Sequence, residues 1–218
     1  MGSPAACLFD LDGVLLDTEP LQARAWQEAA RHFGCDLSAS QLLGLRGRRR
    51  GDCAEQVCLW IETATGASPE RDALLAVRQP LADLLLAGAA PMPGAEALVQ
   101  SCLERGIPMA LATSSAREAV ERKAAPHPWL GLITVRVYGD DPELRGGKPS
   151  PDPFLLAAER LRTAPPDCWA FEDSQAGIQA AVTAGCRVFA LVPEEGTGTD
   201  WSVPEGVTVL RSLEEVTL

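Results

Sequence analysis

The sequence predicts an α/β protein: a parallel sheet covered on both faces by helices, with an all-helical segment inserted after the first strand. Three observations predict it. From about residue 94 onward, short apolar runs alternate with segments of helical periodicity, as expected of a parallel sheet whose strands are buried on both faces. One apolar run, Ala5-Ala6-Cys7-Leu8-Phe9, stands alone near the start. Between the two lies a stretch with helical patterns and no convincing strand. The expected division is therefore a core of residues 1–16 and 89–218 and a helical cap of residues 17–88.

The elements follow in order. The run ending at Phe9 reads as the first strand. Residues 21–33 form a helical pattern that Gly34 can end, and residues 53–65 form a second with Gly66 behind it. Residues 69–86 form a third, starting with a proline in the first turn and interrupted by Pro80. Pro91-Met92-Pro93-Gly94 marks the return to the core. Residues 95–105 are a helix closed by Gly106. Residues 107–113 are a strand with Pro108 near its start, where a lost N–H matters least. Residues 133–137, 168–171 and 187–192 are further strands, and residues 151–161 and 175–184 are helices between them. Residues 196–218 read as loop, a last strand near residues 207–210 and a short helix.

Composition narrows the class. A chain of 218 residues with 46% hydrophobic content can bury a substantial core. A net charge of −11 argues against a nucleic-acid backbone or an anionic membrane surface as the main partner. No apolar stretch approaches the ~20 residues that span a bilayer. Residues 1–7 lack the charged lead and apolar region of a secretory signal, so a cytoplasmic protein is expected. The seven cysteines are scattered, with no CxxC pair and an odd count; they read as buried reduced thiols, not as a disulfide or zinc framework. No association motif is present, and a monomer is expected.

Chemistry concentrates where apolar runs end. In FDLDGVLLDTEP (residues 9–20), Asp10 and Asp12 are two apart and share one side of an extended chain. Two like charges inside a sheet are costly, but the carboxyl edge of a parallel sheet is where such folds bind ligands, and a divalent cation would compensate the pair. Thr113, followed by Ser114 and Ser115, ends another strand; hydroxyls and backbone N–H groups there can cradle phosphate or merely cap a helix. Lys148, in a loop of glycines and prolines, offers a compact cation or is a solvated loop residue. Glu172 and Asp173 again follow an apolar strand, as oxygen ligands for Mg2+ or as helix-capping acids.

In that order, DxDG, a Ser/Thr strand end, a Lys loop and an ED strand end resemble the haloacid dehalogenase superfamily. FDLDGVLLDTEP, ALATSSAR, GGKPSPDPF and FEDSQAGI resemble its branch of β-phosphoglucomutases and sugar-phosphate phosphatases. The resemblance covers essentially the whole chain and implies a Rossmann-like core with a helical cap. It implies that Asp10 is a nucleophile forming an aspartyl-phosphate and that Asp12 is the acid and base. It implies Mg2+ held by Asp10, the backbone carbonyl of Asp12 and the acid pair, chiefly Asp173 with Glu172 nearby. Thr113 and Lys148 would hold the phosphoryl oxygens, with Ser114 and Ser115 beside them. An acid at position 12 points to phosphate-ester chemistry, since dehalogenases of the superfamily have none there and phosphonatases have alanine.

The cap is expected to choose the substrate. Arg46-Gly47-Arg48-Arg49-Arg50 is a dense cationic stretch in an acidic protein. The resembling mutase has a Gly followed three residues later by an Arg that contacts substrate, and Gly47 with Arg50 repeats this spacing. Mutases carry a His where Gln22 aligns; Gln cannot change charge near neutral pH, which favours hydrolysis of a small phosphorylated metabolite over mutase chemistry. A non-enzymatic phospho-aspartate receiver also places acids, Thr and Lys at strand ends. Receivers are shorter, however, lack a helical insertion and lack the second acid of the DxD pair.

Overall fold

Six short strands whose residues are almost all apolar make the sheet of the computed structural model, which describes residues 3–192 and 203–218. They are β1 (Ala6–Phe9), β2 (Met109–Ala112), β3 (Val135–Val137), β4 (Cys168–Glu172), β5 (Arg187–Leu191) and β6 (Thr208–Leu210), in spatial order β3-β2-β1-β4-β5-β6. All neighbours are parallel, and β1 sits between β2 and β4, with Phe9 opposite Leu111 on one side and Phe171 on the other. β1, β2 and β4 are buried at every position, so both faces need cover.

That cover comes from helices with one apolar face each. On one face, Cys7, Phe9, Leu111 and Phe171 pack with Leu98, Val99 and Cys102 of α5 (Ala95–Glu104) and Val120 of α6 (Arg117–Ala124). On the other, Ala6, Leu8 and Ala170 pack with Phe154 and Ala157 of α7 (Asp152–Arg160) and Ile178 and Ala181 of α8 (Gln175–Thr183). Phe9, Phe171 and Phe189 stack across adjacent strands, with centroids 5.0 and 5.2 Å apart. The parallel-sheet class read from the sequence is the observed fold.

Four further helices lie between β1 and β2: α1 (Glu19–His32), α2 (Ala39–Leu43), α3 (Arg50–Thr65) and α4 (Arg71–Leu86). Trp26, Ala30, Val57, Ile61 and Leu74 give them an apolar cluster of their own. The sequence expectation differs from the structure in detail. Pro80 does not interrupt the third helical pattern; α4 runs through it, with Leu74, Ala82 and Leu86 buried on one side. Packing along that side outweighs the one hydrogen bond that proline removes. The helix starts at Arg71, after Pro69. Two helices were not expected: α2, opened by a Ser38–Gln41 capping box, and α6, a largely polar segment with only Val120 and Lys123 buried. Of the expected C-terminal elements, a strand and a short 3-10 turn at Leu213–Glu215 are present; the part of that expectation on residues 196–202 lies outside the described residues. No helix among the described residues is long and apolar enough to cross a membrane.

Candidate active site

Because β1, β2 and β4 run parallel, the residues after their last positions arrive on one edge: Asp10, Thr113 and Asp173. Each strand end is held by its neighbour, Asp10 N–H donating to Phe171 O and Thr113 N–H to Val137 O, both at 3.1 Å. Gly13 then turns the chain with φ +83°, and a Cβ there would lie 2.0 Å from Oδ2 of Asp173. Only glycine satisfies both the backbone angle and the approach of that carboxylate.

Lys148 is buried between two acids. Its Nζ donates to Asp10 Oδ1 at 2.6 Å and to Glu172 Oε1. Burial opposes its charge, but the two carboxylates outweigh burial and raise its pKa above that of an ordinary lysine. Glu172 is spent locally: Oε2 accepts from the N–H groups of Asp173 (3.1 Å) and Ser174 (3.2 Å) and from the Ser174 hydroxyl (3.1 Å). Asp10 is pushed up to about 7, first by burial and then by the charges of Glu172 and Asp12, against the pull of Lys148. Burial and the charges of Glu19, Glu172 and Asp10 push Asp173 well above the carboxylate range.

Asp10, Glu172 and Asp173 offer oxygens within 4.8 Å of one another. With all three ionised, as a bound cation would favour, the carboxylates against the ammonium of Lys148 leave two negative charges, and an all-oxygen donor set suits a hard divalent cation such as Mg2+. Asp10 and Asp173 are the better placed donors, since Glu172 is engaged by Lys148 and the turn.

Asp12 belongs to a second charge system. Its Oδ1 accepts from Thr18 Oγ1 at 2.6 Å, its Oδ2 from Ser115 Oγ at 2.8 Å, and Lys123 Nζ reaches both oxygens at 2.6 Å. Burial alone would raise the Asp12 carboxyl, but Lys123 and the two hydroxyls outweigh it and hold its pKa below the ordinary value. Sequence reasoning missed Lys123. The available signal was a lysine three residues after Val120, on the apolar side of a helix that directly follows the Thr-Ser-Ser strand end.

The four-helix segment closes over this edge, leaving a cleft of about 320 Å³ lined by Asp10, Asp12, Thr113, Gln22, Arg50 and Arg78. Ser114 also lines the cleft, but its Oγ is directed to the helical segment, donating to Gly47 O at 2.7 Å. Gly47, at φ +71°, lies so close to Ser174 that a Cβ would fall 1.9 Å from its Oγ; a Cβ on Gly147 would meet Arg49 Nε at 2.3 Å. The arginine stretch thus sits directly on two core loops. Arg46 pairs with Glu19 at 3.1 Å, and burial nevertheless pushes Glu19 up to about 8. Arg50 donates to Gln79 Oε1 at 2.9 Å, and Gln79 to Asp83 Oδ1 at 2.7 Å. Gln22 accepts from Arg78, a second residue that sequence reasoning missed, whose guanidinium lies 4.2 Å over the Trp26 ring. The core residues Asp10, Asp12, Thr113, Ser115, Lys148, Glu172 and Asp173 therefore converge, whereas Gln22 and Arg50 face them from the helical side with partners of their own.

The haloacid dehalogenase-like hydrolase family model matches residues 4–185. The Drosophila melanogaster protein named "Probable pseudouridine-5'-phosphatase" is 37% identical over 222 residues, covering 96% of this chain and 90% of that one. Hexitol phosphatase A of Escherichia coli (strain K12) is 31% identical over 211 residues, covering 97% and 92%. Among solved structures, the β-phosphoglucomutase of Clostridium difficile shares the fold, with a TM-score of 0.79 over 98% of this chain and 93% of that one at 20% identity. Strand-end acids, buried lysine and sequence likeness agree: the chain belongs to the haloacid dehalogenase-like hydrolases.

Proposed function

We propose that the chain is an Mg2+-dependent phosphatase that hydrolyses a small phosphorylated metabolite, a sugar or polyol phosphate, through an aspartyl-phosphate on Asp10. The observation that carries this reading is the buried Asp10–Lys148 pair beside Asp173, opening on a cleft sized for a small molecule. The relatives named as phosphatases support it. Mg2+, when held by Asp10, Asp173 and the Asp12 carbonyl, supplies the charge that lets an anionic nucleophile meet an anionic ester.

In the first step Asp10 Oδ attacks phosphorus as the bond to the leaving alcohol oxygen breaks. Asp12, held as a carboxylate by Lys123 and two hydroxyls in the substrate-free site, takes up a proton with the substrate and gives it to that oxygen. In the second, Asp12 as a carboxylate takes a proton from water as that water attacks the aspartyl-phosphate, which returns Asp10 and frees phosphate. Lys148 and Thr113 hold the equatorial phosphoryl oxygens, and the N–H groups after Thr113 add donors. Residues 17–88 act as the cap, excluding water and presenting Arg50 to the far end of the substrate. Gln22, neutral and engaged with Arg78, favours hydrolysis over return of the phosphoryl group to a bound intermediate.

A panel of phosphorylated metabolites, with free phosphate and isomer products both measured, tests this. Hydrolysis of a sugar or polyol phosphate, silenced reversibly by a chelator, is the expected result. Conversion of β-glucose 1-phosphate to the 6-phosphate with little free phosphate would replace it with mutase chemistry.

A further inference from the structure

We propose that Lys123 is a positioning residue for the hydrolytic half of the reaction, fixing the Asp12 carboxylate in the orientation from which it activates water. The inference rests on the roles of Asp10 and Asp12 set out above. Lys123 is 2% exposed, and its side-chain hydrogen bonds go to Asp12 and to Ser115 Oγ, the latter at 2.9 Å. Burying an ammonium is costly unless it is paired with good geometry, and here it meets both oxygens of one carboxylate.

The arrangement is stiff on every side. Ser115, which also touches Asp12, is tied to the β2 end by its N–H to Thr113 Oγ1 at 3.1 Å. Thr18, buried completely, holds the other oxygen from the start of α1. Lys123 lies on α6, the helix that begins directly after this strand end, so its reach to Asp12 is set by the core. Only 15% of the Asp12 side chain remains exposed, beside the cleft. Lys148 serves Asp10 and Glu172 instead, so the nucleophile and the acid/base each have a separate cation.

The division of labour follows. The first step leaves Asp12 as a carboxylate, having passed its proton to the leaving alcohol as the bond from phosphorus to that alcohol breaks. The second requires the same carboxylate to accept a proton from water as the water oxygen bonds to phosphorus and the Asp10–phosphorus bond breaks. A carboxylate gripped from three directions keeps its open lone pair aimed at one place. Without Lys123 it can rotate, and the aspartyl-phosphate should outlive its normal lifetime.

The test uses the full chain with Mg2+ and p-nitrophenyl phosphate, whose leaving group needs little help from an acid, so the first step is insulated from Asp12. Lys123→Met should lower kcat by about 10- to 100-fold, less than the ~10²–10⁴-fold that acid–base catalysis supplies because Asp12 itself remains, with little change in KM. Acid-quenched samples should then contain the phosphorylated protein as a major fraction. Lys123→Arg should recover part of the rate. Asp12→Asn with Lys123→Met should be no slower than Asp12→Asn alone, because both changes remove one unit. If Lys123→Met fails to fold, the double variant, in which neither charge is left unpaired, supplies that comparison. Normal kcat in Lys123→Met, loss of rate without trapped phosphoprotein, or multiplying losses in the double variant would each overturn the proposal. A fully active Asp12→Asn would instead remove the Asp12 assignment on which it rests.

Discussion

Asp10 carries the electrostatic problem of the site in a single side chain: it must be buried enough to exclude water and still be an anion. Lys148 pulls toward the anion, but burial and two neighbouring acids outweigh it and raise the carboxyl to about 7, so a bound cation is needed to hold the charge. Asp10→Asn removes the proposed nucleophile while keeping its shape; turnover of any phosphate ester should fall at least about 10³-fold, with the far-ultraviolet circular dichroism unchanged. The same residue should shape the stability of the metal-free protein. Its folded pKa, about 7, lies above the ordinary 3.8, so the folded state binds the proton more tightly than the unfolded chain. Its contribution is complete below about pH 4 and is lost as pH rises through about 7. Glu19 and Asp173 are raised too and act in the same direction. In chelator, the midpoint of thermal unfolding should therefore fall more between pH 4 and 7 in the natural protein than in Asp10→Asn, and Mg2+ should flatten the difference. Most of these acids could be read from the sequence, because carboxylates directly after an apolar run break its pattern. Lys123 and Arg78 could not be assigned that way: each finds its partner only when α6 or α4 is folded back, 111 and 56 residues from Asp12 and Gln22.

Among the elements, α4 and α6 meet across the mouth of the cleft. Arg50 at the start of α3 donates to Gln79, Gln79 to Asp83, and Arg122 of α6 pairs with Asp83 at 3.0 Å. These side chains are partly exposed, so the strap adds little to stability, within about 1 kcal/mol. Its effect should be on closure. Asp83→Ala should raise KM several-fold with kcat nearly unchanged and a denaturation midpoint close to normal, the signature of lost uniform binding. A fall in kcat at constant KM would place Asp83 elsewhere in the reaction. Element boundaries show why some of this could be read and some could not. Gly34, Gly66, Gly106 and Gly185 punctuate the sequence and the helices they follow were found. α2 has five residues and α6 little apolar content, so neither gives a periodic signal. Pro80 misled because proline's local penalty is visible in sequence and the packing that overrides it is not.

At the scale of the molecule, the sheet and the site are one structure. Phe171 is fully buried, stacked between Phe9 and Phe189, and is followed at once by Glu172. Phe171→Ala should cost about 3–5 kcal/mol, read from urea unfolding, and should also weaken activity below the unfolding range, because the cavity lies directly behind the acid pair. The α/β class was legible from strand–helix alternation alone, and the insertion from a long stretch without strands. The strand order was not, since nothing local says which apolar runs become neighbours.

That order bears on how the protein is made. The strand that ends at Asp10 precedes the other five in the chain, yet its partners come about a hundred and a hundred and sixty residues later. Until Cys168–Glu172 has emerged, that ribbon has an unpaired flank, so the acid cluster cannot assemble before the fourth strand is made.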